Sequence, residues 1–139
     1  MKTYLRKHLQ KHAIYQSARQ EFSENGNDLI LLDANENPFD WPYNRYPDPL
    51  QRQLKTVLAK VKGIRDDQIL LGNGSDEVLD LIFRTFCEPG EEEVLLLPPT
   101  YGMYGVLAKL NNIRVKEVPL NDDFQIAIDS VLEAANPKT

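Results

Sequence analysis

The sequence contains one cysteine and has no apolar run of the 18 or more residues that a membrane-spanning helix needs. Cys87 therefore has no partner for a disulfide within the chain, which favours a reducing, cytoplasmic setting. It lies in an apolar stretch of helical character, so we interpret it as an inert, packed thiol. The positively charged residues 1–12 are not followed by an apolar segment, and we expect no secretory signal.

Positive charge is in the minority. Lysine and arginine number 16 against 21 aspartates and glutamates, a net charge of −5. This balance gives no electrostatic reason to expect a nucleic acid or an anionic membrane as a partner. His8 and His12 have a spacing that could suit a metal ion on a helix, but the sequence offers them no further ligands. We therefore predict no metal site.

Apolar runs of strand length alternate with amphipathic segments of helical period from about residue 50 onward. Gly63 is placed to end the first helix, and the continuous apolar run 94–97 is typical of a strand inside a parallel sheet. The predicted helices cover 50–62, 76–87, 101–110 and 129–135, and the predicted strands cover 29–32, 69–71, 94–97 and 113–118. Such alternation predicts an α/β fold with mainly parallel strands.

The segment before residue 50 has a different character. Residues 1–27 are polar and end in a turn signal, so we predict an N-terminal arm with a short helix. Prolines at 42, 47 and 49 fix the backbone at several points of the segment 39–49. This segment is predicted to be an irregular loop.

Residues 69–77 are predicted to run from a strand through a glycine turn into a helix. Backbone N–H groups at a helix start have no partner inside the helix, and the helix dipole favours an anion there. Gly72 and Gly74 allow close backbone approach, and Ser75 adds a hydroxyl. The segment matches neither the dinucleotide fingerprint nor the Walker A loop. Two interpretations stay open: a phosphate site, or a tight turn and capped helix without a ligand.

Five motifs occur along the chain in a fixed order. They are Tyr-Gln-Ser-Ala-Arg at 15–19, Leu-Asp-Ala-Asn-Glu-Asn-Pro at 32–38, Arg-Tyr-Pro-Asp at 45–48, Gly-Asn-Gly-Ser-Asp-Glu at 72–77 and Pro-Pro-Thr-Tyr-Gly-Met-Tyr at 98–104. Together they resemble the histidinol-phosphate aminotransferases, a group of class II pyridoxal-phosphate-dependent aminotransferases of fold type I. The resemblance extends from about residue 13 to the end of the sequence.

The resemblance implies a set of cofactor-binding residues. Gly74, Ser75 and Asp76 match the turn that binds the phosphate of pyridoxal 5′-phosphate, mostly through backbone N–H groups. Tyr101 matches the aromatic residue that stacks on the pyridine ring. Tyr46 matches a tyrosine whose hydroxyl reaches the phosphate of the neighbouring subunit's cofactor, which implies a homodimer with shared active sites.

The resemblance also implies the substrates and where they bind. It implies amino transfer between histidinol phosphate, a phosphorylated amino alcohol, and 2-oxoglutarate. Tyr15 matches a residue near the phosphate end of the substrate, and Asn35 and Asn37 match the loop at the substrate entrance. For these two asparagines a plain Asx turn before Pro38 is the alternative.

The domain organisation and the catalytic residues follow from the same resemblance. It implies that residues 1–45 form an N-terminal arm and a small-domain or entrance segment. Residues 46–139 would be the first, incomplete part of the cofactor-binding large domain. No lysine here lies in the context of the Schiff-base lysine, so we assign no catalytic residue and expect the chain to be part of a longer enzyme.

Three alternatives to this function stay open. An aromatic-amino-acid aminotransferase or a threonine-phosphate decarboxylase would share the fold and the cofactor. A protein of another class, a non-catalytic half-domain, would bind a partner or the phosphate of a ligand without chemistry.

Overall fold

The computed structural model describes residues 4–13, 15, 30, 32–39 and 41–139. The chain divides into two compact units, one made of Met1–His12 with Leu70–Thr139 and the other made of Ala13–Ile69. Within the described part, the helices are α1 (Arg52–Lys62), α2 (Ser75–Phe86), α3 (Met103–Leu110) and α4 (Ile128–Ala134). The strands are β1 (Glu93–Leu96) and β2 (Arg114–Glu117), and short 3-10 turns occupy Leu9–Lys11 and Asp66–Gln68.

The first unit is built around a parallel pair of strands. Glu93 of β1 lies opposite Arg114 of β2, and Leu96 lies opposite Glu117. Helix α3 connects the two strands, as expected for a parallel β-α-β connection. The prediction of an α/β arrangement with parallel strands is confirmed.

The core of this unit lies where α2 and α3 pack beside the two strands. Its buried residues are Phe83, Leu107, Ala108 and Ile113. Ala108, in α3, is completely buried. Partly buried Leu79, Cys87, Val94, Met103 and Val115 pack around this centre.

The N-terminal segment of the first unit covers the C-terminal end of α2. The Arg6 backbone N–H donates to the Thr85 carbonyl at 3.0 Å, and Arg6 Nη1 donates to the Arg84 carbonyl at 3.1 Å. The last carbonyls of a helix have no partner within it and carry its negative dipole end, so a guanidinium stabilises this terminus.

The second unit contains α1. Asp48 accepts hydrogen bonds from the backbone N–H groups of Leu50 at 3.0 Å and Arg52 at 2.9 Å, which satisfies donors at the helix start. Gly63 ends the helix with a φ of 66°, in the left-handed conformation that favours glycine. The predicted helix and its glycine end are confirmed, with the start at Arg52 instead of Leu50.

Two predicted strands need correction. Residues 69–71 are irregular, because an apolar run becomes a strand only when a neighbouring backbone pairs with it, and the only strand pairing among the described residues joins β1 to β2. Ile30 and Leu32 are also irregular, whereas Leu29 and Leu31 lie outside the described residues. The predicted loop 39–49 is irregular wherever it is described.

One further prediction meets the structure only in part. The predicted short helix of the N-terminal arm corresponds, where it is described, to the 3-10 turn Leu9–Lys11. No helix in the described ranges combines the length and apolar composition that crossing a bilayer would require. The predicted domain division between residues 45 and 46 concerns the domains of a whole enzyme and stays a prediction.

Candidate functional site

The N-terminus of α2 follows a turn that depends on glycine. Gly74 has φ 84° and ψ 170°, a region that is essentially restricted to glycine. A Cβ on Gly72 would lie 2.8 Å from Val78 Cγ2, so a side chain there would clash. The Gly74 N–H donates to the Gly72 carbonyl at 3.1 Å, and the Glu77 carboxylate accepts the Asn73 N–H. Glu77 thereby holds the turn against the first turn of the helix.

This turn leaves the N-terminus of α2 without a side-chain cap. Gly74 is the N-cap residue of α2, and no side chain makes a capping hydrogen bond there. The first N–H groups of a helix have no partner within it, and its dipole concentrates positive potential at this end. The arrangement therefore suits a phosphate, which both Ser75 and Asp76 can contact through the backbone.

Tyr101 lies beside this terminus. Its hydroxyl donates a hydrogen bond to Asp76 Oδ1 at 3.1 Å, and its ring meets the ring of Tyr104 edge to face at 5.9 Å. Tyr101 is 52% exposed, so part of its surface is available for contact with a ligand. The Asp76 carboxylate, which accepts this hydrogen bond, raises the pKa of Tyr101 above its usual value.

The group formed by Gly74, Ser75, Asp76 and Tyr101 fits a phosphorylated aromatic ligand. The backbone donors suit its phosphate, and the exposed Tyr101 ring suits its planar ring. The negative charge of Asp76 would oppose a phosphate dianion, but its carboxylate is engaged by the Tyr101 hydroxyl. The structure thus brings Gly74, Ser75, Asp76 and Tyr101 together in the first unit.

The second unit holds the other predicted site residues. Asn37 Oδ1 accepts the Phe39 N–H at 3.0 Å, which is an Asx turn around Pro38. Asn35, Asn37 and Tyr46 line one shallow cavity of about 270 Å³ together with Trp41 and Tyr43. Tyr46 is 61% exposed. Asn37 therefore forms the Asx turn that the sequence left as an alternative, and it also lines the cavity.

The remaining candidates are more isolated. Tyr15 is 83% exposed, and its motif neighbours Gln16–Arg19 lie outside the described residues. His8 and His12 are exposed, and the described ranges contain no group of three or more side chains that could hold a metal ion.

Sequence reasoning missed two glutamates that organise these sites. Glu77 binds the Asn73 N–H in the glycine turn, and Glu36 binds both Arg45 and the Tyr46 backbone. A glutamate three residues after an N-cap is the position used in a capping box, so Glu77 had a readable signal. Glu36 had none, because its partners lie nine and ten residues away across an irregular loop.

The chain belongs to the aminotransferase class I and II family, whose sequence profile matches residues 7–139. This is a family that uses pyridoxal phosphate. The helix terminus and the tyrosine described above both lie within the matched range.

Several histidinol-phosphate aminotransferases are similar to this chain. The protein of Flavobacterium psychrophilum is 53% identical over 97% of this chain and 39% of its own length. That of Bacteroides fragilis is 51% identical over 90% of this chain and 36% of its own length, and that of Cytophaga hutchinsonii is 45% identical over 97% and 39%. The chain spans about two fifths of the length of these curated relatives.

Proposed function

We propose that the chain supplies the first cofactor-binding elements of an aminotransferase that moves an amino group between histidinol phosphate and 2-oxoglutarate. The observation that supports this proposal is that the N-terminus of α2 has no side-chain cap and that the exposed Tyr101 lies beside it. Relatives named for this activity are about half identical to the chain over nearly its whole length.

The α2 terminus binds the phosphate of pyridoxal 5′-phosphate. The backbone N–H groups of Ser75 and Asp76 donate to the phosphate oxygens from the first turn of α2, which has no side-chain cap. Tyr101 lies against one face of the pyridine ring, with its hydroxyl held by Asp76. When bound, the cofactor supplies an aldehyde that takes up amino groups and a ring that withdraws electrons.

The second unit serves the substrate and the neighbouring site. The Tyr46 hydroxyl reaches the cofactor phosphate of the other subunit in a homodimer. Tyr15, Asn35 and Asn37 line the substrate path. Because Asn37 Oδ1 already accepts the Phe39 N–H, its Nδ2 donor is the group that would face the substrate.

The remaining parts of the mechanism are assigned to no residue of this chain. Transamination needs a Schiff-base lysine, a carboxylate at the ring nitrogen and an arginine for the substrate carboxylate. The role of this chain is to hold the phosphate and the ring and to shape the entrance. We further propose that its α/β unit belongs to a fold-type I large domain preceded by an arm and entrance segment at 1–45, and that the protein is cytoplasmic.

The test uses the intact protein that carries this sequence. We expect the protein to show the absorbance of bound pyridoxal phosphate and to transfer an amino group from histidinol phosphate to 2-oxoglutarate. Activity only with phenylalanine would point to an aromatic-amino-acid aminotransferase, and loss of carbon dioxide from threonine phosphate would point to a decarboxylase. A protein that binds no cofactor would contradict the enzyme proposal and favour the non-catalytic half-domain.

A further inference from the structure

We propose that Glu36 is a positioning residue that sets the place of Tyr46, and through it the grip on the cofactor phosphate. This inference rests on the proposed role of Tyr46 in the shared active site. Glu36 itself touches neither cofactor nor substrate in this scheme.

The Glu36 side chain is almost enclosed, and each of its carboxylate oxygens accepts a hydrogen bond. Its side chain is 5% exposed. Oε1 accepts the Tyr46 backbone N–H at 2.7 Å, and Oε2 accepts Arg45 Nη1 at 2.8 Å. A carboxylate is costly to bury unless charged or polar groups satisfy it, so the loop is built around these two bonds.

The two hydrogen bonds of Glu36 join the ends of the loop 36–46, which carries several aromatic residues. Glu36 stands at its start, and Arg45 and Tyr46 stand at its end. Within the loop, Asn44 Nδ2 donates to the Phe39 carbonyl at 2.8 Å, which ties the middle together. Glu36, Asn44 and Arg45, to which we assign no contact with a ligand, thus hold the loop that ends at Tyr46.

The backbone of Tyr46 is constrained on both sides. Its N–H is held by Glu36, and the following Pro47 disfavours helical conformations at the residue before it. The direction in which the Tyr46 side chain leaves the backbone is therefore fixed. Tyr46 is 61% exposed, as a residue whose hydroxyl must reach a second subunit requires.

The competing explanation is that Glu36 only closes the loop. In that case its loss would weaken cofactor binding by general disorder, whether or not the Tyr46 hydroxyl is present. If Glu36 acts through Tyr46, replacing Glu36 should weaken cofactor binding only while the Tyr46 hydroxyl is present. A double-mutant cycle on cofactor affinity separates the two explanations.

The experiment titrates the intact protein with pyridoxal 5′-phosphate for the wild type, Glu36→Gln, Tyr46→Phe and the double variant. Glutamine keeps the shape but has an NH2 group in place of one oxygen, so either the Tyr46 N–H or Arg45 Nη1 would face a donor instead of an acceptor. We expect each single variant to raise the Kd about tenfold, and Glu36→Gln to add less than about twofold to Tyr46→Phe. Equal losses in both backgrounds, or no loss from Glu36→Gln, would overturn the inference.

The matched control is Asp67→Asn. Asp67 pairs with Arg65 at 2.8 Å in the same unit, but its side chain is 62% exposed and no site residue depends on it. The Asp67→Asn variant is expected to bind the cofactor with the same affinity as the wild type. Arg45→Gln replaces Glu36→Gln if the latter does not fold, with the same dependence on Tyr46 expected. A wild type that binds no cofactor would refute the proposed function itself, whereas a binding wild type with additive variants would refute only the role of Glu36.

Discussion

Tyr101 and Asp76 are joined by a hydrogen bond of 3.1 Å from the phenol oxygen to Oδ1, across 25 residues of sequence. The bond ties the residue before the Gly102 cap of α3 to the first turn of α2. It holds the exposed Tyr101 beside the helix terminus and engages one oxygen of the Asp76 carboxylate. A phosphate at this terminus would therefore meet a carboxylate that already accepts a hydrogen bond.

The first prediction concerns the ionisation of Tyr101. The Asp76 carboxylate accepts a hydrogen bond from the neutral phenol and repels the phenolate. Both effects raise the pKa of Tyr101. Asp76→Asn should therefore lower this pKa towards the usual 10.0. The measurement is the alkaline rise of phenolate absorbance, with Tyr101→Phe in each background identifying the signal. An unchanged titration would mean that the hydrogen bond does not form in solution.

The second prediction concerns Gly74. Its φ of 84° and ψ of 170° are accessible to glycine alone, so Gly74→Ala should destabilise the fold by about 1–3 kcal/mol. It should also weaken cofactor binding, because the turn can no longer aim its N–H groups. Gly105→Ala is the control: it lies inside α3, and its Cβ would meet Leu96 at an ordinary 3.7 Å. Chemical denaturation should find Gly105→Ala as stable as the wild type or more so.

The third prediction is a pH dependence at α1. Backbone N–H groups of Arg52 and Leu50 hold the pKa of Asp48 below its usual 3.8. The stabilisation is complete above the unfolded value and is lost as pH falls through the lower folded value. Asp48→Ala should cost about 1 kcal/mol at pH 7, as the loss of a helix-start acceptor usually does. Denaturation at pH 7 and pH 2 checks this, and a cost that persists undiminished at pH 2 would contradict it.

The fourth prediction uses the single cysteine as a probe. Burial raises the pKa of Cys87, with Glu92 adding repulsion of the thiolate. A thiol of this kind should react with a disulfide reagent at pH 8 many times more slowly in the native protein than in denaturant. Reaction at equal rates in both states would show that the packing around α2 opens readily in solution.

Local sequence patterns predicted the regular elements well. The apolar repeat from Leu50 to Val61 and the glycine at 63 predicted α1 and its end, because both signals act within a few residues. The runs around Val94 and Val115 predicted the parallel strands. The run at 69–71 predicted a strand wrongly, since its pairing needs a neighbouring backbone that the pattern does not reveal.

The amino-acid sequence by itself determined the α/β class, the glycine turn before α2 and the membership of the aminotransferase class I and II family. These depend on spacing and residue type within short segments. Only the tertiary structure decided that the Tyr101 hydroxyl meets Asp76 and that Glu36 holds both Arg45 and Tyr46. Such contacts depend on the path of the chain between distant residues, which is set by the packing of the whole unit and leaves no periodic signal in the sequence.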